Sequence, residues 1–506
     1  MAFEPNYEKV VSSFRKKLGT TQTVVECKLP IEEGITKLLC SCAKCYIKDS
    51  SIEGNSINYF GVTCFQVTYV NQDNETVGAD YTVEFKEKFV YEEDIVGVVA
   101  STCNVIDVNS VVNNGELRVL ATLEIENEII ASESQVVLVG ANDLLVRREL
   151  LSYNVLANKI IENFDVVSDY EIKDSVNKVL TVCANPYLTK VVPNNNFVLV
   201  EGGVNVDISY LTDDNTLRTV QTVFDFNQEI SDDGVDELSV IQSNLDCVCN
   251  EVKVSTAVDV DRAVVSLTLP MIYTGFIFNK TTIDVVVDAY SLTNYVNTTN
   301  ESMTTFKGFE SYHFEERVNG NLTIDDDMPN IDEILGTCCN HIVLASTSVD
   351  DGIFVVEGVA YTTILYQNKD LNNINAVLIE MPFSINNNVS EMGENIIPVV
   401  QLSLGNVTAR ARRNKEIDVS ADLHIYADFY RVDEEAVISK ITIDDEIPYD
   451  ECALSIYISK EGDTVWDIAK ELGVSPELVL QQNPNLSDEI APLTRIVVYK
   501  QRVQEF

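Results

Sequence analysis

The stretch VEGGVNVDISY, residues 200–210, decides how the rest of this sequence is interpreted. Apolar and polar side chains alternate along it, with Val204, Val206, Ile208 and Tyr210 separated by Asn205, Asp207 and Ser209. A period of two residues is typical of a β-strand with one buried face. Gly202 opens the run, and the absence of a Cβ atom there favours a β-bulge or the close approach of another backbone segment.

The same pattern occurs three times in the chain. FGVTCFQVTY (60–69) and VEGVAYTTILY (356–366) also contain a glycine that is followed eight residues later by a tyrosine. Upstream of each stretch a leucine is followed three residues later by a cysteine, at Leu39/Cys42, Leu180/Cys183 and Leu335/Cys338. The repeated glycines are 141 and 156 residues apart, which is far longer than a solenoid repeat of about 20–50 residues. We therefore expect a triplicated domain.

The expected fold is mainly β, with three tandem β-sandwich modules. Each repeated tyrosine is followed by an Asn- and Asp-rich segment of the kind that forms hairpin loops, and further alternating runs come after it. Segment 144–164 has no clear period, so it is either helical or an extended connector. The predicted division is an N-terminal segment (1–22), three β modules (23–148, 149–300 and 301–446), a linker (447–453) and a C-terminal domain (454–503).

The C-terminal segment has a different character. In TVWDIAKELG (464–473) the apolar residues fall at helical spacing, Thr464 is placed to cap the helix at its N-terminus, and Gly473 is placed to end it. A second helix is predicted to begin at Ser475-Pro476, because serine caps helices and proline is favoured at the first helical position. Strand-like segments on both sides predict a small βααβ domain of the α+β class.

Charge and hydropathy exclude several classes of function. The chain has 35 basic and 80 acidic residues, a net charge of −45, so we expect no binding to nucleic acid. The N-terminus lacks the apolar core of a signal peptide, and no stretch approaches the ~18 to 20 apolar residues of a transmembrane helix. The sequence therefore predicts a protein that stays in the cytoplasm of the cell that makes it, with reduced thiols.

Cysteines are the most obvious candidates for metal binding or chemistry. Cys40, Cys42 and Cys45 are close in sequence, but zinc sites usually combine two paired ligand clusters. We therefore expect free thiols packed as small apolar side chains and no metal, with metal binding and later oxidative cross-linking as the alternatives. The sequence contains no phosphate-binding loop, HExxH motif or nucleophile elbow, so it predicts neither catalytic residues nor a cofactor, and no enzyme.

The C-terminal segment 456–500 resembles a LysM module, through its Gly-Asp-Thr-x-Trp-x-Ile-Ala and Asn-Pro signatures. The resemblance implies binding of N-acetylglucosamine-containing glycans such as peptidoglycan, in a groove between two loops. The residues it places in that groove are Gly462, Asp463, Thr464, Val465, Trp466, Asn483, Pro484, Asn485 and Leu486. The sequence departs from the family where Leu493-Thr494 follow Pro492, because LysM modules usually have Pro-Gly-Gln there, in one wall of the groove.

The triplicated segment resembles the SPOCS (spore coat associated) domain, through the strand that reads VEGGVNVDISY and VEGVAYTTILY. SPOCS modules followed by a LysM module resemble the SipL/SpoVID type of spore coat morphogenetic protein in endospore-forming Firmicutes. That resemblance implies a non-enzymatic adaptor for spore coat assembly, in the mother-cell cytoplasm at the forespore surface and in the spore coat. Its partners would be the ATPase that polymerises as the basement layer of the coat and other coat proteins, with self-association as a further option.

A second function stays open at this point. The LysM module could bind peptidoglycan or its lipid-linked, GlcNAc-containing precursor, with the β modules as multimerising spacers. Protein–protein interaction and peptidoglycan binding are thus the two hypotheses for the same segment.

Overall fold

The computed structural model describes residues 4–30, 34–92, 95–113, 116–259, 262–368, 373–390, 393–448, 454–486 and 490–500. Strands account for 79% of the structure and helices for 4%, which confirms the prediction of a mainly β fold. The chain forms three modules of the same topology, followed by a small domain with two helices.

Module 1 consists of β1 (Pro5–Pro30), β2 (Ile35–Glu53), β3 (Ser56–Asn71), β4 (Thr76–Val90), β5 (Gly97–Val99), β6 (Thr102–Asn113) and β7 (Glu116–Ala141). Module 2 consists of β8 (Leu145–Ile172), β9 (Lys178–Asn194), β10 (Phe197–Leu211), β11 (Leu217–Ser231), β12 (Val240–Cys247), β13 (Lys253–Asp259) and β14 (Arg262–Tyr290). Module 3 consists of β15 (Asn294–Thr323), β16 (Glu333–Asp350), β17 (Ile353–Asn368), β18 (Asn373–Asn388), β19 (Ile396–Arg413) and β20 (Glu416–Glu446). The C-terminal domain consists of β21 (Leu454–Ile458), α1 (Val465–Leu472), α2 (Pro476–Gln482) and β22 (Arg495–Tyr499).

Each module is a sandwich of two antiparallel sheets. The first and last strands are long and pair with each other, β1 with β7, β8 with β14 and β15 with β20. Between them in sequence comes a three-stranded meander, and the last long strand also pairs with one or two shorter strands. Apolar side chains of the meander pack against those of the long strands, so each module has its own core.

The repeated leucine is a bulge residue in all three modules. Leu39, Leu180 and Leu335 each lie at a shift in strand register, so they have no residue opposite them on the central strand of the meander. The residue before each leucine is paired with the repeated tyrosine, Tyr69, Tyr210 or Tyr366. The bulge turns the leucine side chain out of its own sandwich, and the three leucines belong to one shared apolar cluster.

The repeated glycine lies opposite a second register shift. A Cβ atom on Gly61, Gly202 or Gly358 would lie within 3.0 Å of a backbone carbonyl oxygen and within 3.0 Å of a phenylalanine ring. The carbonyls belong to Tyr46, Tyr187 and Val343, and the rings to Phe85, Phe226 and Phe383. The predicted close backbone approach is therefore present in each module.

The three meanders close into a ring. Gly78 on β4 lies against Leu180 on β9, and Thr219 on β11 lies against Gly336 on β16. The ring is closed by Lys37 on β2, whose Nζ donates to the carbonyl oxygen of Ile374 at 2.8 Å. Thus the last strand of each meander contacts the first strand of the next one, in approximate threefold symmetry. We call this side of the molecule the meander end.

The outer halves of the long strand pairs form the opposite side, which we call the ribbon end. The three two-stranded ribbons are 5–13 with 132–141, 145–156 with 278–290, and 294–305 with 433–446. Their facing side chains form a cluster to which every module contributes: Val10, Val137, Leu151, Tyr153, Val285, Met303 and Val437. The ribbons therefore hold the modules together by apolar packing.

Several predicted boundaries fall inside continuous strands. β1 spans residue 22, β8 spans residues 148 and 149, and β15 spans residues 300 and 301. Segment 144–164, for which helical and extended interpretations were both open, is extended and largely belongs to β8. Residues 449–453 of the predicted linker lie outside the described residues, and the division into domains stays a prediction.

Candidate functional site

The C-terminal domain contains all of the predicted binding residues, and its helices are defined by their capping groups. Thr464 caps α1: its hydroxyl accepts from the backbone N–H of Asp467, and the Asp467 carboxylate accepts from the backbone N–H of Thr464. Gly473 ends the helix in the left-handed conformation, at φ 63°. Ser475 caps α2, its hydroxyl accepting from the backbone N–H of Leu478, and Pro476 begins the helix. The capping residues predicted from the sequence are confirmed.

The domain has a thin core that extends beyond the domain itself. Ile468, Ala469, Val479, Ile496 and Val498 are buried between the helices and the two-stranded sheet. The same cluster includes Tyr290 and Leu145 of module 2. A domain of about 45 residues buries little apolar surface alone, so the contact with module 2 adds to its stability.

Trp466 makes this contact. Its indole N–H donates to Oδ2 of Asp288 at 2.7 Å, and its ring packs edge-on against Tyr290 at a centroid distance of 4.9 Å. Lys470 donates to the other oxygen of Asp288 at 2.6 Å, and the hydroxyl of Tyr290 donates to the carbonyl of Val474 at 2.7 Å. We call Trp466, Lys470, Asp288 and Tyr290 the dock, because they attach the C-terminal domain to the ribbon of module 2.

The dock alters the titration of Asp288. Burial raises the pKa of this carboxyl, but hydrogen bonds from Lys470 and Trp466 outweigh burial and hold the pKa below its usual value. Asp288 is therefore ionised at neutral pH, as the donors around it require.

The loop before α1 contains Gly462, Asp463 and Thr464. Gly462 is exposed and has φ 87°, a conformation that favours glycine. Oδ2 of Asp463 accepts from the backbone N–H of Lys460 at 2.7 Å and from the hydroxyl of Tyr457 at 2.9 Å. The latter bond raises the pKa of Tyr457 to about 12. These residues fix the shape of the loop through local bonds.

The loop after α2 contains Asn483, Pro484, Asn485 and Leu486. The side-chain amide of Asn483 donates to the carbonyl of Val497 at 2.9 Å and its oxygen accepts from the Val497 N–H at 3.1 Å. Pro484 and Asn485 are exposed. Leu486 packs against the core of the domain, as do Val465 and Trp466. The structure thus brings three of the predicted residues to one cluster, and leaves Pro484 and Asn485 at the surface.

Leu493, which stands where LysM modules usually have glycine, has an unusual environment. It is in the left-handed conformation at φ 66°, and its side chain is 82% exposed. Its backbone N–H donates to the carbonyl of Ser459 at 2.8 Å, so the turn is held in place. A large apolar residue at positive φ is strained, and this strained position places an apolar side chain in the solvent.

A second apolar surface lies on the sheet of the same domain. Leu454, Ile456 and Ile458 alternate along β21, so they share a face, and each is between 44% and 48% exposed. Tyr499 on β22 is paired with Leu454 and is 58% exposed. The LysM motif did not predict this surface. The alternation of apolar residues in LSIYI (454–458) is the sequence signal that could have identified it.

The cysteines of the β modules are partly bonded. Cys64 on β3 and Cys249, after β12, form a disulfide between modules 1 and 2. This differs from the expectation of reduced thiols, because the two residues are 185 positions apart and only the ring brings them together. The free cysteines among the described residues include the three repeated ones, Cys42, Cys183 and Cys338.

All three histidines are stacked on tyrosine rings. Tyr187 of module 2 stacks on His424 of module 3 at 3.8 Å between centroids, and His313 lies on the same stack. His341 stacks on Tyr361 at 4.7 Å. Burial lowers the pKa of each histidine. These residues are therefore neutral packing groups at pH 7.

Neither α1 nor α2 has the length and apolar character that a membrane-spanning helix needs, and this holds for every helix in the described residues.

Comparison with known protein families gives two matches. Residues 175–258, in module 2, match the family model described as SipL, SPOCS domain, and residues 457–493 match the LysM domain model. Searches of curated proteins and of solved structures found no match. Both matched families are binding or structural domains without catalytic activity. The predicted combination is confirmed: this chain carries a SipL-type SPOCS domain and a C-terminal LysM domain, which fits a sporulation protein of the spore coat with a peptidoglycan-binding module.

Proposed function

We propose that this protein is a non-enzymatic adaptor of spore coat assembly that attaches the coat to the forespore surface, on its mother-cell side. Its LysM domain binds a protein partner, the ATPase that polymerises as the basement layer of the coat. The three modules act as a frame that holds the LysM domain in one position and offers further surface to other coat proteins.

The observation that carries this proposal is the exposed Leu493. Glycans are recognised by polar groups and by flat aromatic surfaces, whereas a single exposed leucine suits an apolar pocket on a protein. The exposed apolar residues of β21 add to the apolar character of this domain. The strained backbone of Leu493 supports a functional role, because a glycine would fit the same turn without strain.

The test restores the glycine. Leu493→Gly in the full chain removes the apolar side chain and relieves the positive φ, so the variant is expected to be at least as stable as the wild type. We expect it to lose at least tenfold in affinity for polymers of the purified ATPase, measured by co-sedimentation. Leu238→Gly is the matched control, since Leu238 is 76% exposed and lies in module 2. Unchanged sedimentation of the Leu493→Gly variant contradicts the proposal.

The alternative is that the LysM domain binds peptidoglycan or its GlcNAc-containing precursor, with the β modules as multimerising spacers. The match to the LysM family over 457–493 and the exposure of Pro484 and Asn485 favour it. Asn485→Arg should then abolish pelleting of the full chain with peptidoglycan sacculi, whereas Gln481→Arg, an equally exposed change on α2, should not. Pelleting with sacculi but not with ATPase polymers would establish the alternative.

A further inference from the structure

Three cysteine side chains meet at the meander end. The Sγ atoms of Cys40, Cys338 and Cys339 all lie within 4.8 Å of one another, and all three residues are buried. Cys40 belongs to module 1 and the other two belong to module 3. The thiols lie in the apolar cluster formed by the repeated leucines, at the centre of the ring. No sequence motif reveals this group, because its members come from opposite ends of the triplication.

The backbone is distorted where it supplies these thiols. Consecutive residues of a strand point to opposite faces, yet Cys338 and Cys339 face the same cluster. They do so because β16 has a register shift between Cys338 and His341, and Cys339 adopts φ 57°. Cys40 directly follows the bulge at Leu39. Bulges and non-glycine residues at positive φ are concentrated at functional sites, where they direct side chains.

A fourth thiol lies beside the group. The Cys42 thiol donates to Oε1 of Gln66 at 3.8 Å, and Cys42 lines one small cavity together with Cys40, Cys338, Cys339 and Cys183. Four thiolates in tetrahedral geometry around Zn²⁺, each about 2.3 Å from the metal, have sulfur–sulfur distances of about 3.8 Å. The separations between the three close thiols are compatible with that geometry after small side-chain rotations.

We propose that Cys40, Cys338 and Cys339, with Cys42 as the fourth ligand, bind one thiophilic d¹⁰ metal ion, Zn²⁺ or Cu⁺. Thiolates select these ions over Mg²⁺ and Ca²⁺. Each ligand loses its proton on binding, and the metal then links module 1 to module 3 at the point where the ring closes. The ion is structural, since three of its ligands are buried and four protein thiolates leave no open position for a substrate.

The test uses the full chain, purified anaerobically under reducing conditions. We expect about one Zn²⁺ or Cu⁺ per chain by elemental mass spectrometry, and the ion found identifies the native metal. After removal of the metal by a chelator, Co²⁺ should restore a thiolate-to-cobalt charge-transfer band together with the visible bands of tetrahedral cobalt. The thermal unfolding midpoint should fall on chelation and recover on addition of Zn²⁺.

Matched variants separate the site from other thiols. Cys338→Ser combined with Cys339→Ser should weaken Co²⁺ binding at least tenfold and remove the charge-transfer band. Cys27→Ser, at a buried free cysteine of module 1, should leave both unchanged. Wild-type protein that purifies without either metal and gives no cobalt band overturns the proposal, and this result needs no variant to fold. A cobalt band retained by the double variant overturns it too, as does a disulfide between Cys40 and Cys338 or Cys339.

Discussion

The meander end and the ribbon end join the same three modules by different means. At the ribbon end the core of the contact is apolar, with Val10 from module 1, Tyr153 from module 2 and Met303 from module 3. Polar contacts there lie beside this core, such as the bond that Gln135 of module 1 donates to Glu301 of module 3 at 3.2 Å. At the meander end polar groups cross each boundary. Lys44 of module 1 donates to Asn185 of module 2 at 2.6 Å, and Asn340 of module 3 donates to Asp207 of module 2 at 2.7 Å. The third boundary is crossed by the bond from Lys37 to the carbonyl of Ile374. Apolar packing at the ribbon end holds the modules together, whereas directional bonds at the meander end specify which modules are neighbours.

Apolar packing depends on volume and area, so similar ribbons could pair in more than one order. Directional bonds between enclosed polar groups are satisfied in one arrangement only, and any other order leaves a buried donor or acceptor unpaired. Lys44 and Asn340 occupy the same position of the repeat, two residues after the repeated cysteine, but they are different side chains and bond different groups, so they distinguish the modules. The meander end therefore determines which module lies beside which.

The largest effect is expected from Lys44→Met. This change removes a cation that donates to two groups of module 2 and that lowers the otherwise raised pKa of the buried Asp207. Removing one member of an enclosed charged group costs about 4 kcal/mol of unfolding free energy, measurable by urea denaturation. Adding Asp207→Asn should recover part of the loss. Additive destabilisation in the double variant would falsify the coupling of these two residues.

The stability of the apolar cluster at the ribbon end should depend on side-chain volume. Met303 is 2% exposed in the apolar cluster, so Met303→Ala should cost about 3 kcal/mol through lost burial and a residual cavity. Met303→Leu, which conserves volume, should cost less than about 1.5 kcal/mol in the same denaturation assay. If the leucine variant is as unstable as the alanine variant, the ribbon contact depends on more than packing.

Mild acid should strengthen the contact between modules 2 and 3 at Asp428. Asp428 of module 3 accepts from the hydroxyl of Ser311 and from the backbone N–H of Ser243 in module 2, and burial raises its pKa to about 7. The folded state thus keeps a proton that the unfolded state releases near pH 4, so stability falls as the pH rises from about 4 to 7. Between pH 5.5 and 7 the loss is about 2 kcal/mol.

Thermal unfolding at the two pH values measures this dependence. Asp428→Asn should flatten the profile, because an amide does not titrate. An unchanged slope in that variant would assign the pH dependence to the overall negative charge of the chain instead.

The smallest effect concerns the dock, where the pH dependence of stability is opposite to that at Asp428. Asp288 has a lowered pKa, so its contribution is present above about pH 4 and is lost as the pH falls through the folded-state value. Asp288→Asn should weaken docking of the LysM domain by about 1 kcal/mol. Trp466 is the only tryptophan in the chain, so a red shift of its fluorescence reports undocking.

The matched control is Asp284→Asn, which removes an exposed carboxylate on the same strand, paired with Arg148 at 3.0 Å. This variant should leave the emission of Trp466 unchanged. An equal red shift in both variants would mean that the emission follows net charge and not the dock.

Local signals were sufficient to predict the β strands and the helices of the LysM domain. The repeated glycine and tyrosine located the central strand of each meander, and Thr464, Gly473 and Ser475 located the helix ends, because caps and strand alternation depend on neighbouring residues. Segment 144–164 stayed ambiguous, since one long strand there belongs first to a ribbon and then to a sandwich, and its buried face changes along its length.

Contacts between modules were beyond sequence reasoning. The meeting of Cys40 with Cys338 and Cys339, the Cys64–Cys249 disulfide and the dock of Trp466 on Asp288 all join residues that are far apart in the chain. One feature of the sequence pointed to the docking role of Trp466. It is the single tryptophan of the chain, and it lies in a domain whose own core is too small to bury it. The groove residues remain a proposal.

The dock has a geometric consequence for any layer built from this protein. A ring of three similar modules could be seated on a surface in three rotational settings of nearly equal energy. A single LysM domain, docked on the ribbon of module 2, makes those settings unequal. The LysM domain therefore fixes the rotation of each molecule about the axis perpendicular to the surface. Neighbouring molecules attached through this domain would have the same rotational orientation.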